Sequence, residues 1–185
     1  MKKLLLTIAT LLTINLCLKA QEPMELVYDT NLSAGTTITI PLNGTVNVTV
    51  SWGDGNEETF TTTGYKNHTY AEEGTYNVSI AGTLTRFGGS YPNADKLISV
   101  SNFGDIGLTS LVGAFNEANN LISVPSQIPS SITNLSSTFI NASKFNGDIS
   151  GWDVSNVTNM ANMFEGASKF NQNIGSWDVG NVTNM

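Results

Sequence analysis

A mixed architecture is predicted: a small antiparallel β-sandwich, then a solenoid of leucine-rich-type repeats built from short strands and short helices. Two observations carry this. Residues 21–88 alternate branched and small polar side chains between Gly, Asn and Asp breaks, the pattern of half-buried antiparallel strands. From about residue 93, apolar residues recur at fixed offsets with a period of 24 and then 25 residues. That period lies in the leucine-rich-repeat range of about 20–29 residues.

The strand runs are residues 36–42 (TTITIPL), 45–52 (TVNVTVSW), 58–62 (ETFTT) and 75–84 (TYNVSIAGTL). Gly53-Asp54-Gly55 makes a turn between the second and third, and Glu73-Gly74 leads into the fourth. Several short strands at this spacing predict a sandwich over residues 21–90.

Residues 1–20 are read as a secretory signal peptide. Lys2 and Lys3 precede an apolar stretch, and Ala20 offers a small residue at the cut before Gln21. The stretch is too short to span a bilayer and ends at Lys19. The only cysteine, Cys17, lies within it. A lipid-modified Cys17 is the alternative, but Leu16 stands where lipoprotein signals have a small residue. Without residues 1–20 the chain has five basic residues against fifteen acidic ones, a charge of −10. Such a balance disfavours nucleic acid and anionic lipid as partners. It suits a soluble, exposed surface.

Residues 91–185 are read as about four repeats. Leu97, Leu108, Leu111 and Phe115 are matched by Leu121, Ile132, Leu135 and Phe139. Phe145, Val157, Met160 and Phe164 follow with one residue inserted, and Phe170, Val182 and Met185 begin the fourth unit. The chain stops partway through that unit without a polar cap, so a fragment of a longer protein is expected. Ile149, Trp152 and Val154, and then Ile174, Trp177 and Val179, fit the inward positions of a short strand. Met160, Met163, Phe164 and Ala167 have helical spacing, which predicts a short helix or helical turn over residues 158–167.

The conspicuous side chains are read as core. Trp152 and Trp177 could stack on sugar, but they occupy inward positions. The recurring asparagines (Asn134, Asn159 and Asn184; Asn156 and Asn181; Asn146 and Asn171) are read as satisfying backbone groups at corners. What remains for a partner is the outward side of the strands. There lie Ser150, Gly151, Asp153 and Ser155, then Gly175, Ser176, Asp178 and Gly180. Stacked strands would make these a concave face for an extracellular protein or glycan.

The segment from Asp95 to Val124, followed by FNGDISGWDVSNVTNMANMFEGASKFNQNIGSWDVGNVTNM, resembles the BspA-like leucine-rich-repeat surface proteins of bacteria. Trp52-Gly53-Asp54-Gly55 with His68-Thr69-Tyr70 and Gly74-Thr75-Tyr76-Asn77-Val78-Ser79-Ile80 resembles a polycystic-kidney-disease-type (PKD) module, an immunoglobulin-like sandwich. It lacks the fuller W-D-F-G-D-G form. The resemblance implies a secreted or cell-surface role in adhesion and recognition, with the PKD-like module ahead of the repeats.

No catalytic residue, metal site or cofactor is expected. His68 is the only histidine, so any nucleophile–His–acid arrangement must use it. In its H-T-Y setting it is read as structural. Asp54 lacks the alternating acidic partners of a strong calcium loop and is read as capping its own turn. Glu57-Glu58 and Glu72-Glu73 are read as solvated charge. The leading reading is an adhesion protein. A non-catalytic accessory region of a larger secreted enzyme and a structural spacer stand beside it.

Overall fold

The computed structural model describes residues 21–185. Residues 1–20, with the expected export signal and Cys17, lie outside the described residues. The described chain forms β1 (Met24–Asp29), β2 (Thr37–Ser51), β3 (Glu57–Phe60), β4 (Gly64–Thr69), β5 (Thr75–Phe87) and β6 (Leu97–Asn102). Single 3-10 turns follow β1 (Thr30–Leu32) and precede β6 (Ala94–Lys96).

All six strands join one antiparallel sheet in the order β3-β2-β5-β1-β6, with β4 also on β2. The long strands make this possible. One edge of β2 pairs first with β4, from Thr37↔Thr69 to Leu42↔Gly64, and then with β3, from Val48↔Phe60 to Ser51↔Glu57. Its other edge runs along β5 from Leu42↔Phe87 to Ser51↔Ser79, with a register shift between Asn43 and Val46. The first half of β5 pairs with β1, whose far edge carries β6. Alternation buries one face: Met24, Leu26 and Tyr28 of β1, Ile38 and Ile40 of β2, and Val78 and Ile80 of β5 are wholly inaccessible.

Beyond β5 the chain is bonded to itself at a distance of one repeat. The N–H of Thr109 donates to the carbonyl of Thr85 on β5 at 2.9 Å, and Leu84 donates to Ile106 at 2.8 Å. The pattern recurs: Thr133 to Thr109 at 3.0 Å, Thr158 to Thr133 at 2.9 Å, and Thr183 to Thr158 at 2.9 Å. Single parallel bridges link Arg86, Ser110, Asn134, Asn159 and Asn184 in turn. We call each such turn-rich unit a tier.

Further along each tier the bonding alternates. The N–H groups of Leu135, Ser137, Phe139 and Asn141 donate to the carbonyls of Asn159, Ala161, Met163 and Glu165 in the next tier, at 2.7–2.9 Å. The residues between them close local turns instead: Thr138 to Leu135, Ile140 to Ser137 and Ala142 to Phe139. Half the donors are thus satisfied at home and half by the neighbour.

This overturns the expected fold class on three points. The strands form one open sheet, not a two-sheet sandwich. Among the described residues there is no α-helix, and beyond β6 there is no strand, so the solenoid of short strands and short helices is not formed. The segment at 158–167 turns at left-handed Asn162 (φ 56°) and Gly166 (φ 71°), with equivalents Gly113, Ser137, Glu117 and Asn141 in earlier tiers. A helix needs unbroken right-handed dihedrals, so the spacing of Met160, Met163, Phe164 and Ala167 reflects successive turns. The expected strand at Ile149–Val154 is likewise a pair of turns flanking irregular backbone.

One hydrophobic core runs from Met24 on β1 to Met163 in the third tier. At the seam between sheet and first tier, Gly88 has φ 136°, and a Cβ there would strike the Val112 carbonyl and the Ala114 backbone. Nearby, the wholly buried Lys96 donates its Nζ to the carbonyls of Ala34, Gly35 and Thr37. The buried charge is held by backbone dipoles of the loop before β2.

Gly88→Ala should therefore destabilise the protein by at least about 2 kcal/mol, through strain and loss of close approach. Urea unfolding measures this. A loss below about 0.5 kcal/mol, the range of ordinary surface substitutions, would show that β5 does not seat the first tier.

Candidate functional site

The residues expected to face a partner lie in turns, not on a strand. Ser150, Gly151, Asp153, Ser176 and Asp178 are exposed, and Ser155 is half-buried. Asp153 accepts from the N–H of Ser155 at 3.1 Å and from its hydroxyl at 2.7 Å. These bonds hold its carboxyl below the usual aspartate range. Asp178 accepts from the N–H of Gly180 at 3.0 Å. Asp148 does the same for Ser150, and Asn173 for Gly175. Each side chain closes its own turn, which leaves the second carboxylate oxygen of Asp153 and Asp178 outside this bonding. Trp152 and Trp177, next to these aspartates, stack between tiers at 6.3 Å and 4°. The structure therefore sets residues 150–155 and 175–180 on successive tiers.

Sequence reasoning missed a second column. Thr109, Thr133, Thr158 and Thr183 are all exposed. In each, the hydroxyl donates to the same threonine carbonyl, one repeat earlier, that the backbone N–H already uses, at 3.1–3.5 Å. The hydroxyl oxygen keeps its capacity to accept. The signal was visible: Thr recurs in T-S-L, T-N-L and T-N-M at each period.

The asparagines beside these columns serve the backbone. Asn134 and Asn159 accept from the N–H of Ser136 and Ala161 at 2.9 and 3.0 Å. Asn156 and Asn181 donate to the carbonyls of Ser130 and Ser155 at 3.1 and 2.7 Å. Trp152 is buried and donates its indole N–H to Pro125 at 2.9 Å. A cavity of about 600 Å³ lies against the last tier, lined by Met160, Met163, Phe164, Ile174, Trp177 and Met185. Phe139, Ile149 and Trp152, the counterparts one repeat earlier of Phe164, Ile174 and Trp177, are buried. Its apolar lining is thus the tier-to-tier face of the repeat.

The sheet carries a different grouping. Trp52, directly after β2, is wholly buried and stacks on His68 of β4 at 4.8 Å and 9°. Tyr70 meets His68 edge-on at 4.7 Å and donates its hydroxyl to the Trp52 carbonyl at 2.7 Å. His68 Nε2 lies 2.8 Å from Asp54 Oδ2, and Nδ1 lies 3.8 Å from Glu58 Oε1. Glu58 also accepts the Trp52 indole N–H at 2.9 Å. Asp54 is positioned by its turn: it accepts from the N–H and side chain of Asn56, while Gly53, at φ 85°, packs against the Asn77 backbone. Partial desolvation pushes the Asp54 carboxyl up, but the bonds from His68 and Asn56 outweigh it and hold it at about 2.

Among the described residues no group of three or more His, Cys, Asp or Glu side chains is placed to hold a metal ion. No helix among them is long and apolar enough to cross a membrane. Residues 109–185 match the model of a family described as "Mycoplasma protein of unknown function, DUF285". No curated protein and no solved structure matches the chain.

The depressed Asp54 carboxyl fixes an acid response. A carboxyl held at about 2 when folded adds stability at neutral pH that is lost as pH falls towards 2. Asp54→Asn should accordingly be less stable than the parent at pH 6, and the difference should close as pH approaches 2. Thermal unfolding across that range tests it; a gap independent of pH would refute the assignment.

Proposed function

We propose that this chain is a secreted or cell-surface recognition protein that binds an extracellular protein or glycan along its tiers and performs no catalysis. The observation that carries the reading is repetition of exposed polar groups. The threonine column presents one identical group per tier at Thr109, Thr133, Thr158 and Thr183. Asp153 and Asp178 repeat in the same way, each with its orientation fixed by its own turn. An array of this kind favours a partner that also repeats, because several weak contacts then act together. The rigid backbone beneath the array reduces the entropy lost on binding. The acidic balance of residues 21–185 supports an exposed role away from phosphate-rich partners. The resemblance to BspA-like surface proteins points the same way. The matched family is described as of unknown function and adds nothing on this point.

Arrays of glycans and extracellular matrix proteins, probed with the purified chain, give the test. A hit is expected to weaken at least tenfold, about 1.4 kcal/mol, in Asp153→Lys/Asp178→Lys or in Thr133→Lys/Thr158→Lys. Circular dichroism should remain that of the parent. A ligand whose binding both double variants leave unchanged would sink this reading of the surface.

A further inference from the structure

The His68 cluster is the densest meeting of titratable groups in the sheet, and the proposed recognition surface does not use it. Its ring is placed between carboxylates from two separate pieces of chain. Asp54 belongs to the turn after β2, at 2.8 Å from Nε2; Glu58 belongs to β3, at 3.8 Å from Nδ1. Ionised Asp54 has no proton to give, so Nε2 carries the hydrogen of that bond. In the neutral ring Nδ1 then carries no proton and lies 3.8 Å from Glu58, beyond hydrogen-bond reach. In the doubly protonated ring the positive charge faces both carboxylates and the π-face of Trp52.

We propose that His68 is a pH-dependent latch: its imidazolium draws the turn at 53–56 and edge strand β3 together, and loss of the Nδ1 proton loosens the β3 side, leaving it to the Trp52 indole bond and the β2 ladder.

The remaining neighbours leave the ring as the group that switches. Tyr70, edge-on to the ring, is kept neutral because burial and then the charge of Asp54 push its hydroxyl up. Tyr76, stacked on Tyr70 at 3.5 Å, reaches the ring only through it. Lys66, two residues along β4, lies over Phe60 at 5.2 Å and donates to Thr62 and Thr63. Glu57 alternates to the other side of β3, opposite Ser51. Asp54 stays ionised well below the range in which imidazoles titrate. His68 is the only imidazole in the chain.

What the latch controls follows from topology. β3 pairs along a single edge, with β2, over four residues. A four-residue edge strand opens locally at low cost, so the ion pair of His68 with Glu58, added to the Trp52 indole bond on the same carboxylate, bears on how often it opens. The contribution is present while the ring holds both protons and disappears as pH rises through its titration.

Nuclear magnetic resonance of the nitrogen-15-labelled chain tests this. The ring nitrogens of His68 follow its protonation without overlap, since the chain has one histidine. Amide exchange at residues 57–60, referred to the intrinsic rate at each pH, follows β3. Protection of these amides is expected to be about fivefold higher where the ring nitrogens report two protons than where they report one. Glu58→Gln keeps an acceptor for the Trp52 indole but removes the charge, and should abolish this dependence while β1 and β5 amides stay protected. Constant β3 protection through the ring's titration would overturn the proposal. So would a Glu58→Gln chain that keeps the full pH dependence.

Discussion

The structure beyond β5 depends on the bond from each tier to the one before it. A helix or a hairpin pairs most of its backbone polar groups within itself. A tier does not: alternate N–H groups at 135, 137, 139 and 141 find acceptors only in the next tier, and the threonine N–H finds its acceptor only in the previous one. An isolated tier would leave these groups to water while its phenylalanines lay open, so one unit has no stable structure alone. The first tier meets this requirement at β5. Thr85 accepts from Thr109, and Gly89 donates to Gly113. The second half of β5 is thus both a sheet strand and the layer on which the repeats are laid.

The aromatic interior follows from the same constraint. Once the backbone fixes the register, identical positions lie one above another. Phe139 stacks on Phe164 at 5.6 Å and 2°, Phe145 on Phe170 at 5.8 Å and 1°, and Trp152 on Trp177 at 6.3 Å and 4°. Neighbours within a tier meet as well, with Phe139 4.2 Å from Phe145 and Phe164 the same distance from Phe170. Flat rings pack well on copies of themselves at a fixed interval. The shift from Leu111, Leu121 and Leu135 in the early tiers to Phe145, Met160 and Phe170 later keeps the positions while changing the filling.

The period was legible because every tier must place an apolar residue at the same point of the shared core. What fills the period was not. Successive turns and a helix both bring residues three and four apart to one side, so Met160, Met163, Phe164 and Ala167 fit either. The deciding feature is the left-handed residue, plain at Gly113 and Gly166 but hidden where Ser137 and Glu117 take the same conformation. In the sheet, alternation located the residues of β2 and β5. It did not show that residues 37–51 form one strand, because Asn43-Gly44 interrupts the alternation where the strand bulges. β4 (GYKNHT) has a single branched side chain, Thr69, and β6 shares the repeat period that marked the tiers. At the candidate surface, Asp153 and Asp178 were legible as exposed. The threonine column was passed over because its neighbours Leu108, Ile132, Val157 and Val182 drew the core reading.

The two halves distribute their chemistry in opposite ways. The tiers repeat small polar groups, and no position among them is unique, so any affinity there must come from number and spacing. The sheet holds the features that occur once: the single histidine, the Asp54 turn and the buried Trp52 between them. A unique charged cluster suits a response to conditions, since one titration changes one bond. A repeated neutral column suits contact with an extended partner, since loss of one rung leaves the rest. β5 belongs to both halves, and its neighbour β2 ends at the His68 cluster. Tier and sheet are joined by backbone hydrogen bonds at Thr85, by the Thr109 hydroxyl on the same carbonyl and by the close approach at Gly88.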